Sequence, residues 1–281
     1  MGNMLSRKLV AEGYRVFAGV LPGIATDLEP TERLILLEQD VSDPDSVRSS
    51  AAEVSDRLGN EALHVVMNVA GVANICQGTI EGLKLEELEK IFAVNSFGAV
   101  AVCQAFLPRI RQAGQQGRIF NFGSAAVYGN PPVMGAYSMS KHALHGLTRT
   151  LRLELAPWGT QVTSIWPGVV KTAMVENPNA LTAANWAAQS VAAQQAYGPY
   201  LHRGYCERLP EVFEKFGNPT DEVTDSVMRL LNRKKLKPQY LIGKKDAQWL
   251  GPLHDWLPNS WFEAMMRHTY QIPTSRTPRA K

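Results

Sequence analysis

Tyr137 and Lys141 stand four residues apart in the run Tyr137-Ser138-Met139-Ser140-Lys141. On a helix that spacing puts the two side chains on one face, one turn apart. A phenol beside an ammonium is acid/base chemistry. The positive charge favours phenolate, so Lys141 is expected to pull the Tyr137 pKa below its ordinary value of about 10 and make a proton carrier usable near neutral pH. Ser124 lies thirteen residues before Tyr137, at the end of an apolar run, where it can hydrogen-bond the same substrate oxygen. A Tyr-x-x-x-Lys pattern alone arises often by chance in helices. The serine at a strand end gives the trio its specificity.

The elements that must position these groups alternate between strand and helix. Residues 4–13 read as the end of a helix with Leu5, Leu9 and Val10 on one face, and residues 14–21 as a strand that a Pro22-Gly23 turn closes. A second strand is expected over 34–41, a helix from Asp43-Pro44 to Leu58 stopped by Gly59-Asn60, and a near-continuous apolar strand over 64–70. One long helix, or two, follows over 85–113. Then come a strand at Arg118–Phe122, a helix over 136–156, a strand over 161–166, a helix over 220–232 and a strand at Gln239–Ile242. Strands apolar on both faces and separated by helices imply a doubly wound parallel sheet, which binds ligands beyond the carboxyl ends of its strands. Residues 170–219 read as one long irregular insert, a lid over a substrate. Residues 244–281 form an aromatic-rich tail (Trp249, Trp256, Trp261, Phe262, Tyr270) with a basic end. The whole of 1–281 is expected to be one domain.

With these residues in place the chain resembles the short-chain dehydrogenase/reductase family over essentially its full length. Asn68-Val69-Ala70-Gly71 is similar to the family's Asn-Asn-Ala-Gly motif, with Val69 the one departure. Asn95 matches the family's catalytic asparagine, and Ser124, Tyr137 and Lys141 the rest of its tetrad. Pro167-Gly168 with Thr172 matches the stretch that lies along the nicotinamide and its phosphates, and Asp40-Val41 the family's acidic residue at the adenine. The resemblance implies a Rossmann-like α/β fold and an NAD(P)-dependent enzyme that interconverts an apolar alcohol and its ketone or aldehyde. By it, Tyr137 is the general acid/base, Ser124 orients the substrate oxygen, Lys141 lowers the Tyr137 pKa and holds the nicotinamide ribose, and Asn95 positions a relaying water. The segments 16–21 and 240–266 look similar to the retinol and hydroxysteroid dehydrogenase branch.

The family's pattern opens with a strand and a glycine-rich turn that lets the backbone approach a pyrophosphate. Met1-Gly2-Asn3 aligns with the end of that motif, so Gly2 matches its last glycine and the first strand is absent. Two readings are open: a shortened form of an ordinary enzyme, or a non-catalytic binding or regulatory relative that has lost dinucleotide binding. In either, weak cofactor affinity is expected. Residues 19–21 carry neither the acid that binds the ribose hydroxyls of NAD nor a base, which leaves NAD and NADP both open; the branch resemblance leans to NAD. Arg15 precedes that strand and could meet a phosphate, although a surface role suits it as well.

Composition narrows the remaining classes. The chain has 281 residues, 45% hydrophobic and 20% charged, with a net charge of +3. That profile suits one large α/β domain and excludes long disorder, collagen and coiled coil. With no long basic run, nucleic acid is not expected as a partner. Cys76, Cys103 and Cys206 lie far apart, so neither a disulfide framework nor a metal site is expected, and the default compartment is reducing and cytoplasmic. The start of the chain lacks the apolar core and cleavage site of a signal peptide. Residues 91–108 carry no charge, yet Asn95 and Gln104 fit a buried core helix better than a membrane span. Residues 91–107 form either an ordinary sheet-covering helix or the interface of a homodimer or homotetramer. His142 and His145 read as packing or surface residues, and the aromatic tail as cover for the substrate pocket or a patch resting on a membrane.

Overall fold

A computed structural model describes residues 1–73, 77–172, 177–243, 251 and 253–273. The elements run α1 (Gly2–Ala11), β1 (Val16–Val20), β2 (Leu34–Glu38), α2 (Pro44–Leu58), β3 (Val65–Asn68), α3 (Leu85–Phe92), a π-helical turn Ala93–Phe97, and α4 (Gly98–Gln112). They continue with β4 (Arg118–Phe122), α5 (Ala126–Gly129), α6 (Gly135–Glu154), β5 (Gln161–Pro167), α7 (Pro178–Ala187), α8 (Val191–Tyr197), α9 (Leu209–Phe216), α10 (Thr220–Leu231), β6 (Gln239–Ile242) and α11 (Asn259–Thr269). Local chemistry sets several of these boundaries. Asp43 caps α2 by accepting from the Asp45 N–H at 2.9 Å, Pro44 stands at the first helical position, and Gly59 leaves the helix at φ +55°.

All strand pairs are parallel. They form two sheets among the described residues, a pair β1-β2 and a set ordered β3-β4-β5-β6, where the sequence implied one continuous sheet. One core nevertheless bridges the two: Leu37 of β2 and Val66 of β3 share it with Val47 and Val54 of α2, Val102 and Phe106 of α4, and Ile119 of β4. The opposite face of the larger sheet holds Phe120, Phe122 and Ile165 against Leu5 of α1 and Val223 and Val227 of α10. Successive residues of β4 thus alternate between two helical layers, as the pleat requires. The fold is α/β and a single domain, with β4 and β5 at its centre.

The expectation for the insert is corrected here. The insert over 170–219 is not irregular: α7, α8 and α9 and two π-helical turns, Gly198–His202 and Gly204–Arg208, fill most of it. Asn177 and Ser190 cap α7 and α8 by accepting from the N–H groups of Ala180 and Ala193. The stretch over 85–113 is one helical run broken by a π turn. Leu85–Gln112 is long and apolar enough to cross a membrane, but Val102, Cys103, Phe106 and Ile110 are buried against the sheet. The expected tail over 244–281 falls partly outside the described residues, as does Cys76.

Candidate active site

The carboxyl end of β4 is the foundation. Past Phe122 the chain turns through Gly123 to Ser124, whose hydroxyl accepts from the Ala126 N–H at 3.1 Å and starts α5. A second anchor, Ala125 N–H to Pro167 O at 3.0 Å, ties this turn to the end of β5. Helix α6 then carries Tyr137 and Lys141 back toward the same point. The Tyr137 side chain is hydrogen-bonded to Ser124. Lys141 is 5% exposed, donates to Phe122 O at 2.9 Å, and lies 5.9 Å from the centre of the Tyr137 ring.

The electrostatics differ from the expectation. Burial pushes the Tyr137 phenol above its ordinary value, and the Ser124 hydrogen bond only partly offsets this. Burial also pulls Lys141 down to about 8. Desolvation penalises both charged forms, and the ammonium spends a proton on a backbone carbonyl instead of on the phenol. The resting pair is therefore a neutral phenol beside an amine that titrates near physiological pH.

Asn95 enters from the π-helical turn Ala93–Phe97. An extra residue in that turn redirects the side chains after it, and such turns occur often at functional sites. The Asn95 amide accepts from the Val72 N–H at 2.8 Å and donates to Val72 O at 2.8 Å and Ser140 Oγ at 3.0 Å. Both amide protons are spent, which leaves one lone pair on Oδ1. Gly71 fits between the two functional groups: a Cβ there would stand 3.2 Å from Asn95 Oδ1 and 3.2 Å from Lys141 Nζ. Asn95, Ser124, Tyr137, Lys141 and Gly71 are thus brought together at the carboxyl ends of β3 and β4.

The expected cofactor residues line the same carboxyl edge, with one exception. Gly2 opens α1 beside Val69, where an added Cβ would stand 3.9 Å from the Val69 side chain, and no side chain caps that helix end. Val41 packs on Gly98, where a Cβ would come within 2.8 Å of Val41 O. Asp40 uses Oδ1 to accept from Ser42 N–H at 2.8 Å and Ser42 Oγ at 2.6 Å, which shapes the turn into α2. Gly168 N–H donates to Ile242 O at 2.8 Å, and Lys171, next to Thr172, is fixed to Asn218 O at 2.9 Å. Ala70 follows the β3 end and is exposed. Asn68 is the exception. Its side chain turns into the core, donating to Asn121 Oδ1 at 2.8 Å, and Asn121 in turn donates to Thr148 Oγ1 at 2.9 Å. Asn68 ties strands together, with its side chain buried in the core.

Above Tyr137, Val133, Met134, Trp186, Tyr205, Leu209 and Tyr270 form an apolar cover with which its ring packs. Tyr205 comes from the insert and Tyr270 from the C-terminal segment. Tyr197 packs against the same cluster, and its hydroxyl donates to Glu81 at 2.8 Å. Val133 holds a φ of +71°, a rare conformation for a β-branched residue, four residues before Tyr137. A cavity of about 400 Å³, lined by Tyr128, Pro132, Phe262, Met266 and Ile272 among others, adjoins this cover through Met266 and Ile272. The sequence reading missed Ser140, Val72 and the Phe122 carbonyl as parts of the site. Only Ser140 left a signal, its place between Tyr137 and Lys141.

The residues fit a dinucleotide. A helix N-terminus with uncapped N–H groups, a Cβ-free cradle at Gly71 and two donors, Tyr137 and Lys141, share one sheet edge. A family model described as short chain dehydrogenase matches residues 1–182, and the chain belongs to that family, as an NAD(P)-dependent oxidoreductase of alcohols and carbonyls. It is 31% identical to mouse retinol dehydrogenase 5 over 273 residues, covering 94% of this chain and 81% of that protein. It is 30% identical to the NADPH-dependent 1-acyldihydroxyacetone phosphate reductase of Schizosaccharomyces pombe over 283 residues, covering 98% and 92%. A short chain dehydrogenase from Burkholderia cenocepacia, solved in complex with NADP, shares the fold with a TM-score of 0.68 at 23% identity, covering 93% of this chain and 90% of that one. The non-catalytic alternative gains no support from these relatives.

Proposed function

We propose that this protein interconverts an apolar primary or secondary alcohol and its aldehyde or ketone, with NAD as the partner dinucleotide. The observation that carries the reading is the contact of Ser124 with Tyr137, one turn from a buried Lys141 and under an aromatic and aliphatic cover. The nicotinamide supplies or accepts the hydride when bound. Ser124 donates to the substrate oxygen and orients it. Tyr137, a neutral phenol at rest, gives its proton to a carbonyl oxygen during reduction and takes one from the alcohol during oxidation. Lys141, held at about 8, is able to lose and regain a proton near neutral pH and so to recharge the phenol. The cover excludes water from the reacting carbon.

The substrate class rests on the apolar cluster against which Tyr137 packs. A lean to NAD is supported by the engaged state of Arg15 and Arg7. Arg15 sits at the amino end of β1, away from the ligand edge, and pairs with Glu61 at 2.8 Å. Arg7 pairs with Asp27 at 2.8 Å. A reducing, cytoplasmic-type compartment suits the free thiols of Cys103 and Cys206. A homodimer or homotetramer suits Phe97 beside α4 and Leu153 on α6, 64% and 79% exposed. The test of function is turnover of retinol, estradiol and simple aliphatic alcohols with NAD and with NADP. Faster turnover with NAD on apolar alcohols supports the reading; no turnover with either nucleotide, or activity confined to hydrophilic polyols, overturns it.

A further inference from the structure

Ser140 is buried completely, at 0% exposure, and its hydroxyl is the meeting point of the two segments that carry the reacting groups. It donates to Tyr137 O at 2.8 Å, within α6, and it accepts from Asn95 Nδ2 at 3.0 Å, from the π-helical turn. Its own carbonyl accepts from Ser96 Oγ at 2.9 Å, so two consecutive residues of the π turn clasp one residue of α6. The Asn95 amide held in this way fixes Val72 through paired hydrogen bonds of 2.8 Å each. Val72 follows Gly71, the residue wedged against Lys141 Nζ and Asn95 Oδ1.

We infer that Ser140 is a positioning residue, whose hydroxyl sets the register between the Asn95 turn and the Tyr137–Lys141 turn. The inference rests on the functional reading above but concerns a different group, one that touches neither substrate nor nucleotide. The physical case is one of satisfaction. The buried amide of Asn95 has two protons and, among the described residues, two acceptors, Val72 O and Ser140 Oγ. Removing the second acceptor leaves a buried proton unpaired, and the amide relieves this only by rotating or shifting. Rotation exchanges its donor and acceptor ends, which breaks the paired bonds to Val72 and moves the lone pair that faces Gly71. A serine is also the smallest side chain able to accept from Asn95 while donating back to its own helix. Alanine lacks the oxygen, and threonine adds a methyl where no space is exposed.

The experiment compares Ser140→Ala with Ser140→Cys, which keeps the volume and a weak acceptor, and with Asn95→Ala alone and combined with Ser140→Ala. Turnover with NAD and the best alcohol of the panel should fall about tenfold or more in Ser140→Ala with KM within about twofold, and Ser140→Cys should recover part of the loss. If Ser140 acts through Asn95, the double variant should be no slower than Asn95→Ala alone. A readout independent of turnover is amide hydrogen exchange. The Val72 N–H should exchange about tenfold faster in Ser140→Ala, while Thr163 in β5 keeps its protection. Losses that multiply in the double variant, or unchanged protection of Val72, overturn the role of Ser140. Absence of turnover in the unaltered protein overturns the functional reading, and the exchange measurement then still decides the structural link.

Discussion

Replacing Gly71 by alanine tests the tightest point of the site. The backbone there lies outside the left-handed region, so alanine adds no conformational strain and acts only through its methyl group. That carbon would stand 3.2 Å from both Asn95 Oδ1 and Lys141 Nζ, inside the ~3.5–4.0 Å of comfortable carbon contact. Neither neighbour is free to yield. Lys141 is tied to Phe122 O at 2.9 Å, and Asn95 Oδ1 to Val72 N–H at 2.8 Å. A retreat of a few tenths of an ångström takes one of these bonds to or past the ~3.2 Å limit of good geometry. The loss is about 1 kcal/mol for the neutral bond and up to ~3 kcal/mol for the charged one. At ~1.4 kcal/mol per tenfold in rate, kcat should fall about 5- to 100-fold. The control is Gly146→Ala in α6, where a Cβ meets nothing within 4 Å. That change should leave kcat unaltered and raise the melting temperature by ~1–4 °C, since glycine in a helix interior costs ~0.5–1 kcal/mol relative to alanine. Steady-state kinetics and thermal melts read both variants. A Gly71→Ala protein with kcat within twofold of the parent would refute the packing of Asn95 and Lys141 around this position.

Other outcomes follow from the same geometry. Burial holds Lys141 at about 8 against an ordinary 10.5, so between these values the unfolded chain binds more protons than the folded one and stability rises with pH. The parent should therefore gain on Lys141→Met by ~1 kcal/mol per pH unit between about pH 8 and pH 10, and a pH-independent difference in urea unfolding contradicts this. Above pH 10 the raised Tyr137 phenol works in the opposite sense, because the unfolded chain then releases its proton first. Asn68→Ala removes the donor to Asn121 Oδ1 and should cost ~1–3 kcal/mol of stability, with NADH affinity by fluorescence titration changed less than about threefold. A large loss of NADH affinity without a drop in melting temperature would return Asn68 to the cofactor. Tyr137→Phe should lower kcat by ~10²–10⁴ and leave NADH affinity near that of the parent.

Much of this site was legible in the sequence because its parts follow short-range rules. Two side chains four apart on a helix must share a face, and Ser124 had to fall at a strand end once Arg118–Phe122 read as a strand. What escaped the reading depends on burial and long-range contact. A lysine one turn away argued for a lowered phenol, yet desolvation sets the direction for both groups. Asn68 is the right type in the right place for a ligand contact, but its direction is set by Asn121 on the neighbouring strand, which no local pattern reveals. The π turn at Asn95 leaves the apolar pattern over 85–113 intact, so periodicity alone could not locate it. The insert was readable in principle. Its alanine-rich runs follow Asn177 and Ser190, both good helix caps, and length alone had argued for irregularity. The division into two sheets is a matter of which strands pair, and strand pairing is not encoded in any one segment.

Isotope transfer addresses the chemistry itself. An apolar alcohol carrying deuterium on its carbinol carbon is incubated with the protein and NAD, and the reduced nucleotide is examined by mass spectrometry. Deuterium should arrive on the nicotinamide with the parent protein and fall to background with Tyr137→Phe at equal nucleotide occupancy. Label that stays on the alcohol, or transfer by Tyr137→Phe at the parent's rate, would contradict the assignment of the phenol as the proton carrier for hydride transfer.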